Sequence, residues 1–196
     1  MILKFSLKEF AENGYDRAST NNIVENAGIS KGSLFNYFNN KKNLYVYLLD
    51  YSLEIIEIMY KEIDTNERDI FKKIGNFSLQ KLEIHRKFPY VFDFLASAEL
   101  EESKEVRDII DGRISLIYDR GIKKIYENID YSLFRPDIDI EKAIEILNWT
   151  MFGVGEKFIK QIDRFKDRRE FGRKVIKEWE VYSNMLRKSF YKQEDI

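Results

Sequence analysis

The chain has no cysteine and only one histidine among its 196 residues. Those two scarcities remove disulfides, thiolate catalysis and metal centres built on cysteine or histidine, and they fit a reducing compartment. Proline occurs twice and glycine nine times, and no stretch keeps the polar–apolar alternation of a strand. Long apolar runs are also missing at the start. The opening MILKFSLKEF mixes charged and apolar residues, which excludes a signal peptide or a membrane span there. The expectation is a soluble, cytoplasmic protein with no membrane partner. The Asn-x-Ser/Thr matches at Asn76 and Asn148 are then chance, because glycosylation needs a secretory route. Nor does one sign of charge dominate: 33 Lys and Arg stand against 34 Asp and Glu, a formal charge of −1. That is not the balance of a protein that coats nucleic acid.

What the chain does have is apolar residues at helical spacing, 44% hydrophobic overall, enough for a real core. The fold class predicted from this is all-α. A first helix is expected over Ile2 to Asn13, with Leu3, Leu7, Phe10 and Ala11 on one face and Gly14-Tyr15 closing it. In STNNIVENAGISKGSLFNYF, residues 19–38, two short helices are joined by a tight turn. Ser19 or Thr20 can cap the first, and Ile23, Val24 and Ala27 give it an apolar face. Gly28 reaches the left-handed conformation cheaply and ends that helix, and Ser30 caps a second that starts at Lys31. Leu34 and Phe38 face inward, leaving Lys31, Gly32, Ser33, Asn36 and Tyr37 outward. This is the spacing of a helix-turn-helix, whose second helix lies in the major groove. Thr20 and Lys41 stand at helix starts, where phosphates are met. Charge agrees modestly: residues 1–45 carry six basic and four acidic side chains, a net +2, and the remainder is acidic at −3.

Gly14-Tyr15, Ser19-Thr20, Ile23, the run Ala27-Gly28-Ile29-Ser30-Lys31-Gly32-Ser33-Leu34-Phe35, Tyr37-Phe38 and Lys41-Lys42-Asn43-Leu44 together resemble the tetracycline-repressor-like (TetR) family of bacterial transcription regulators. The resemblance covers roughly the first quarter of the chain, and the remainder is similar only in size and helical character. It implies a three-helix DNA-binding domain over residues 1–45 and a connector helix leading into a ligand-binding and dimerisation bundle over residues 46–196. It also implies a homodimer that reads a palindromic double-stranded operator and acts as a repressor released by a small hydrophobic ligand. No cofactor and no enzymatic activity are expected. Phe35 stands where the family most often has tyrosine, so a contact through that hydroxyl is absent. Relatives usually carry a short leading segment, so an N-terminal arm is missing or lies outside these residues.

Beyond Phe38 the connector is expected from Lys41 to Ile63, with Leu44, Leu48, Tyr51, Ile55 and Met59 at spacings of three and four. Helices then follow over about 67–86, 104–129, 140–162 and 168–192, with a shorter aromatic stretch at Pro89 to Leu95 and Asp137 or Asp139 as a cap. On the helix from Ile140, the residues Ala143, Ile144, Leu147, Met151, Val154, Phe158 and Ile162 form one stripe. Trp149, Phe152 and Ile159 form a second. The last helix shows a similar excess: Phe171, Val175, Tyr182, Leu186 and Phe190, with Ile176, Trp179, Val181 and Met185 beside them. Two stripes need two partners. In the family resembled, the last two long helices of each subunit make a four-helix dimer interface. Ligand contacts are expected from Phe92, Leu95, Tyr118, Trp149 and Phe152, with Asp93 or Glu156 as a polar anchor, against the plainer reading that such aromatics are core.

Other motifs carry less. His85, amid Glu83, Arg86 and Lys87, is expected at the surface. Gly153 to Lys157 lacks the spacing and hydroxyl of a phosphate loop and follows no strand. Ser78-Leu79-Gln80-Lys81 and Ser189-Phe190-Tyr191-Lys192 lack the companion motifs of a Ser-x-x-Lys enzyme. A helical enzyme is disfavoured, because no nucleophile–base constellation is visible. An interaction protein, or a DNA-binding protein without ligand regulation, is the remaining alternative.

Overall fold

The computed structural model describes residues 1–160 and 168–193. Among them it holds nine α-helices and no strands: α1 Ile2–Arg17, α2 Thr20–Ala27, α3 Lys31–Phe38, α4 Lys41–Lys61, α5 Ile70–Lys87, α6 Pro89–Glu99, α7 Arg107–Tyr126, α8 Ile140–Ile159 and α9 Arg168–Phe190. A single 3-10 turn, Tyr131–Leu133, sits in the loop before α8. None of the helices in the described residues is long and apolar enough to cross a membrane.

The boundaries follow local chemistry. Gly14, at φ 67° and ψ −179°, breaks α1 so that Tyr15–Arg17 form a separate last turn, a backbone region that essentially only glycine enters. Pro89 opens α6 at the first helical position, where its missing N–H costs nothing. Of the two candidate caps before α8, Asp139 serves, accepting from the Lys142 N–H at 3.2 Å. The end of the expected stripe on α8, Ile162, lies outside the described residues.

The helices fall into two compact units. One comprises residues 1–61 and 87–121, the other residues 62–86 and 122–196. The first is centred on an aromatic cluster. Phe10 of α1 stands edge-on to Tyr45 of α4 at 5.1 Å between ring centroids, and Phe94 of α6 lies 5.1 Å from Tyr45. Leu7, Ile23, Leu34, Leu44 and Leu48 are buried in the same unit. The second unit has one cluster of Ile70, Phe71, Leu147, Met151, Trp179 and Phe190, among others, and a smaller one of Leu82, Val154, Phe158, Phe171 and Val175. The Arg187 guanidinium pairs with Asp69 and lies 5.2 Å from the Phe71 ring centroid. Asp69 is thus both ion-pair partner and helix cap, since its Oδ1 also accepts from the Phe71 N–H at 2.9 Å.

One expectation changes and one open question closes. His85 is buried, not at the surface. It falls three residues after the buried Leu82, and helical phase outweighs the charge of its neighbours in sequence. Trp179, expected beside the first stripe of α9 with its partner left open, belongs to the core: a Cβ at Gly75 would land on its indole ring. The inward face of α9 therefore runs Val175, Trp179, Ser183 and Phe190, leaving Tyr182 on the outer side.

Candidate nucleic-acid interface

The head is assembled by caps and one glycine. Ser19 Oγ accepts from the Asn22 N–H at 3.4 Å to start α2. At its other end Gly28 adopts φ 66°, ψ 33°, and the Ile29 N–H returns to the Val24 carbonyl at 3.0 Å. This left-handed cap closes the helix and turns the chain. Ser30 Oγ then accepts from the Ser33 N–H at 3.1 Å and opens α3, and Leu34 is fully buried on its inner side. Asn39 ends α3 at φ 61°. Asn40 Oδ1 caps α4 by accepting from the Asn43 N–H at 2.8 Å.

With Leu34 inward, the opposite face of α3 is open. Lys31, Gly32, Ser33, Asn36 and Tyr37 are all exposed, Tyr37 at 83%. Phe35 is half-buried, with the Lys31 ammonium 5.9 Å from its ring centroid. Thr20 is half-buried at the first position of α2. Lys41 is half-buried too: its ammonium donates to the Asp16 carbonyl at 3.0 Å and lies 5.0 Å from the Tyr15 ring centroid. None of α2, α3 and α4 has an acidic residue in its first turn. At the start of α2 the Glu9 carboxylate accepts from the Ser19 N–H at 2.9 Å, so the positive dipole ends open to phosphate are those of α3 and α4. Lys42, next to Lys41 and exposed, adds a further cation at the start of α4.

Sequence reasoning missed the far side of this head. The Tyr15 N–H donates to Glu101 and the Tyr15 hydroxyl to Glu105. Burial first, and then Glu105, push the Tyr15 pKa above its ordinary value, so the phenol stays a donor. No local pattern signals a bond between residues this far apart in the chain.

The expected ligand contacts fall in both units. Phe92 and Tyr118 are half-buried, Leu95 is core and Asp93 is exposed in the first. In the second, Phe152 and Glu156 line a cavity of about 180 Å³ with Ile74, Phe77, Leu82 and Met151, while Trp149 is not among its lining residues. Trp149 and Phe152 are 68% and 67% exposed. No group of three or more acidic, histidine or cysteine side chains suited to a metal occurs among the described residues.

Comparison with known proteins matches residues 2–48 to the family described as "Bacterial regulatory proteins, tetR family". The chain is 25% identical over 159 residues to the HTH-type transcriptional repressor KstR2 of Mycobacterium tuberculosis, covering 76% of this chain and 75% of that protein. A TetR family transcriptional regulator from Chloroflexus aurantiacus superposes with a TM-score of 0.62 at 22% identity, covering 98% of this chain and 92% of that one. The transcriptional regulator FadR from Bacillus subtilis, solved in complex with stearoyl-CoA, gives a TM-score of 0.53 at 15% identity, covering 94% and 95%. The helix-turn-helix is thus formed at the residues that match the tetR family of bacterial regulatory proteins, and the chain as a whole shares the all-helical fold of these solved regulators.

Proposed function

We propose that the protein is a homodimeric transcriptional repressor that binds a palindromic operator through residues 1–45 and is released by a small hydrophobic ligand held in residues 46–196. The observation that carries the reading is the exposed polar face of α3, presented beside the starts of α3 and α4, whose first turns hold no acidic residue. Base edges fall to Lys31, Ser33, Asn36 and Tyr37, and phosphates to Thr20 and Lys41. Gly32 and Phe35 complete the contacting face as close-approach and packing positions.

Dimerisation is supported by apolar surface on α8 and α9. Trp149, Phe152, Val181 and Met185 are all more than half exposed, a patch of the kind that marks an interface. Ligand binding is supported by the cavity between α5 and α8, whose walls are mostly apolar, with Ser78, Lys81, Asn148 and Glu156 as its polar groups. The names of the relatives agree with this chemistry: one is a repressor, and another was solved with an acyl-CoA. A cytoplasmic, non-enzymatic role follows from the same reading.

Selection of bound sequences from a random double-stranded pool tests the proposal. A palindromic consensus, bound with salt-dependent affinity and released by apolar acyl or aromatic compounds, is the expected result. Recovery of no consensus would remove it.

A further inference from the structure

Tyr15 sits where three parts of the first compact unit meet. Its N–H donates to Glu101 Oε2 and its hydroxyl to Glu105 Oε2, both at 2.5 Å. One residue on, Asp16 Oδ1 accepts from Ser103 Oγ at 2.8 Å, while the Asp16 carbonyl takes the Lys41 ammonium. The Tyr15 ring stands edge-on to Tyr45 of α4 at 5.3 Å. The partner segment is itself rigidly built. Glu101 Oε1 accepts from the N–H groups of Glu102 and Ser103 at 3.1 and 2.9 Å. The Arg107 guanidinium closes the loop by donating to the Glu99 and Glu101 carbonyls at 3.1 and 2.6 Å. Gly14 is what lets the two come together, since a Cβ there would lie 3.1 Å from Glu101 Oε2.

We infer that the segment from Glu101 to Glu105, outside the DNA-binding quarter of the chain, is a positioning element of the reading head. It fixes the end of α1 against the start of α4, and so fixes where α2 and α3 stand. The inference rests on the DNA-binding reading above. Glu101 and Glu105 are anionic, so removing either should, by long-range electrostatics alone, strengthen attraction to a polyanion. If the carboxylates position the head, removing them weakens specific binding instead, because the contacts on α3 are no longer preorganised.

The experiment compares wild type with Tyr15→Phe, Ser103→Ala, Glu105→Ala and Glu105→Gln. Operator affinity is measured over a salt series on the selected palindrome, and backbone amide exchange is followed at residues 15–17. Tyr15→Phe and Glu105→Ala are expected to weaken operator binding about 3- to 10-fold with an unchanged salt slope and to speed exchange at residues 15–17. Glu105→Gln should restore most of the affinity, because its amide oxygen still accepts from the phenol. Ser103→Ala, the mildest change, guards against loss of fold and should give a smaller shift in the same direction. Unchanged or tighter binding by Tyr15→Phe and Glu105→Ala, with unchanged exchange, would overturn the inference. Failure of wild type to select any operator would instead remove the DNA-binding reading, and the exchange data would still report on the lock.

Discussion

Single side chains on α3 divide by what they can touch. Asn36 presents an amide that can pair with an adenine edge, and Lys31 a cation suited to guanine. Replacing either with Ala should cost on the order of 1–3 kcal/mol and relax sequence preference at one position, measured by competition between operator variants. Lys41→Ala should weaken all sequences alike and flatten the salt slope by about one unit. Its bond to the Asp16 carbonyl leaves two ammonium protons for a phosphate. The two backbone glycines also differ. Gly28→Ala meets no neighbour within 4 Å and should cost about 1 kcal/mol for the left-handed conformation alone. Gly14→Ala enters a region that disfavours any side chain and also crowds Glu101, so a loss of roughly 1–3 kcal/mol is expected. Urea unfolding of the two variants checks the order, and a Gly14→Ala no worse than Gly28→Ala would contradict it.

At the scale of elements, the sequence was most legible where the signal is local. Ser19, Gly28, Ser30 and Asp139 stand at helix ends because each satisfies backbone groups within three or four residues, and that chemistry reads directly from the chain. The outward face of α3 was legible for the same reason, since Leu34 sets its phase. Tertiary context was not. His85 is buried despite its charged neighbours in sequence, and Trp179 packs against Gly75 of α5; neither local charge nor an apolar stripe reveals such burial. The second buried face of α4, with Tyr45, Leu49, Leu53 and Ile56, was hidden too, because a helix buried on two sides has no single periodic stripe. The expected ligand residues scatter for a related reason: a pocket is a property of packing among several helices. One consequence can be measured. Gly75→Ala would drive a methyl into the Trp179 indole, and such overpacking should destabilise the protein by about 1–3 kcal/mol. A quenched or red-shifted tryptophan emission should accompany the loss, and unchanged stability would show that the indole has room to move.

For the whole molecule, the proposed dimer rests on the exposed apolar side chains of α8 and α9. Met185→Glu places a charge on a side chain that is 63% exposed in one chain. It should leave the fold intact while dissociating the dimer, read by sedimentation at micromolar concentration. Trp179→Glu should instead unfold the bundle, because that ring is core. A wild-type protein that sediments as a monomer would remove the dimer. Two heads held by one interface bind two half-sites, so dimer loss and operator loss should occur together. Sequence-specific reading of DNA by this head is measured by titrating the selected palindrome and a scrambled duplex with the full chain. Two protomers per palindrome, affinity falling steeply with salt, and a preference over the scrambled duplex of at least about 10³-fold are expected. Equal affinity for the two duplexes at physiological salt would contradict sequence-specific reading.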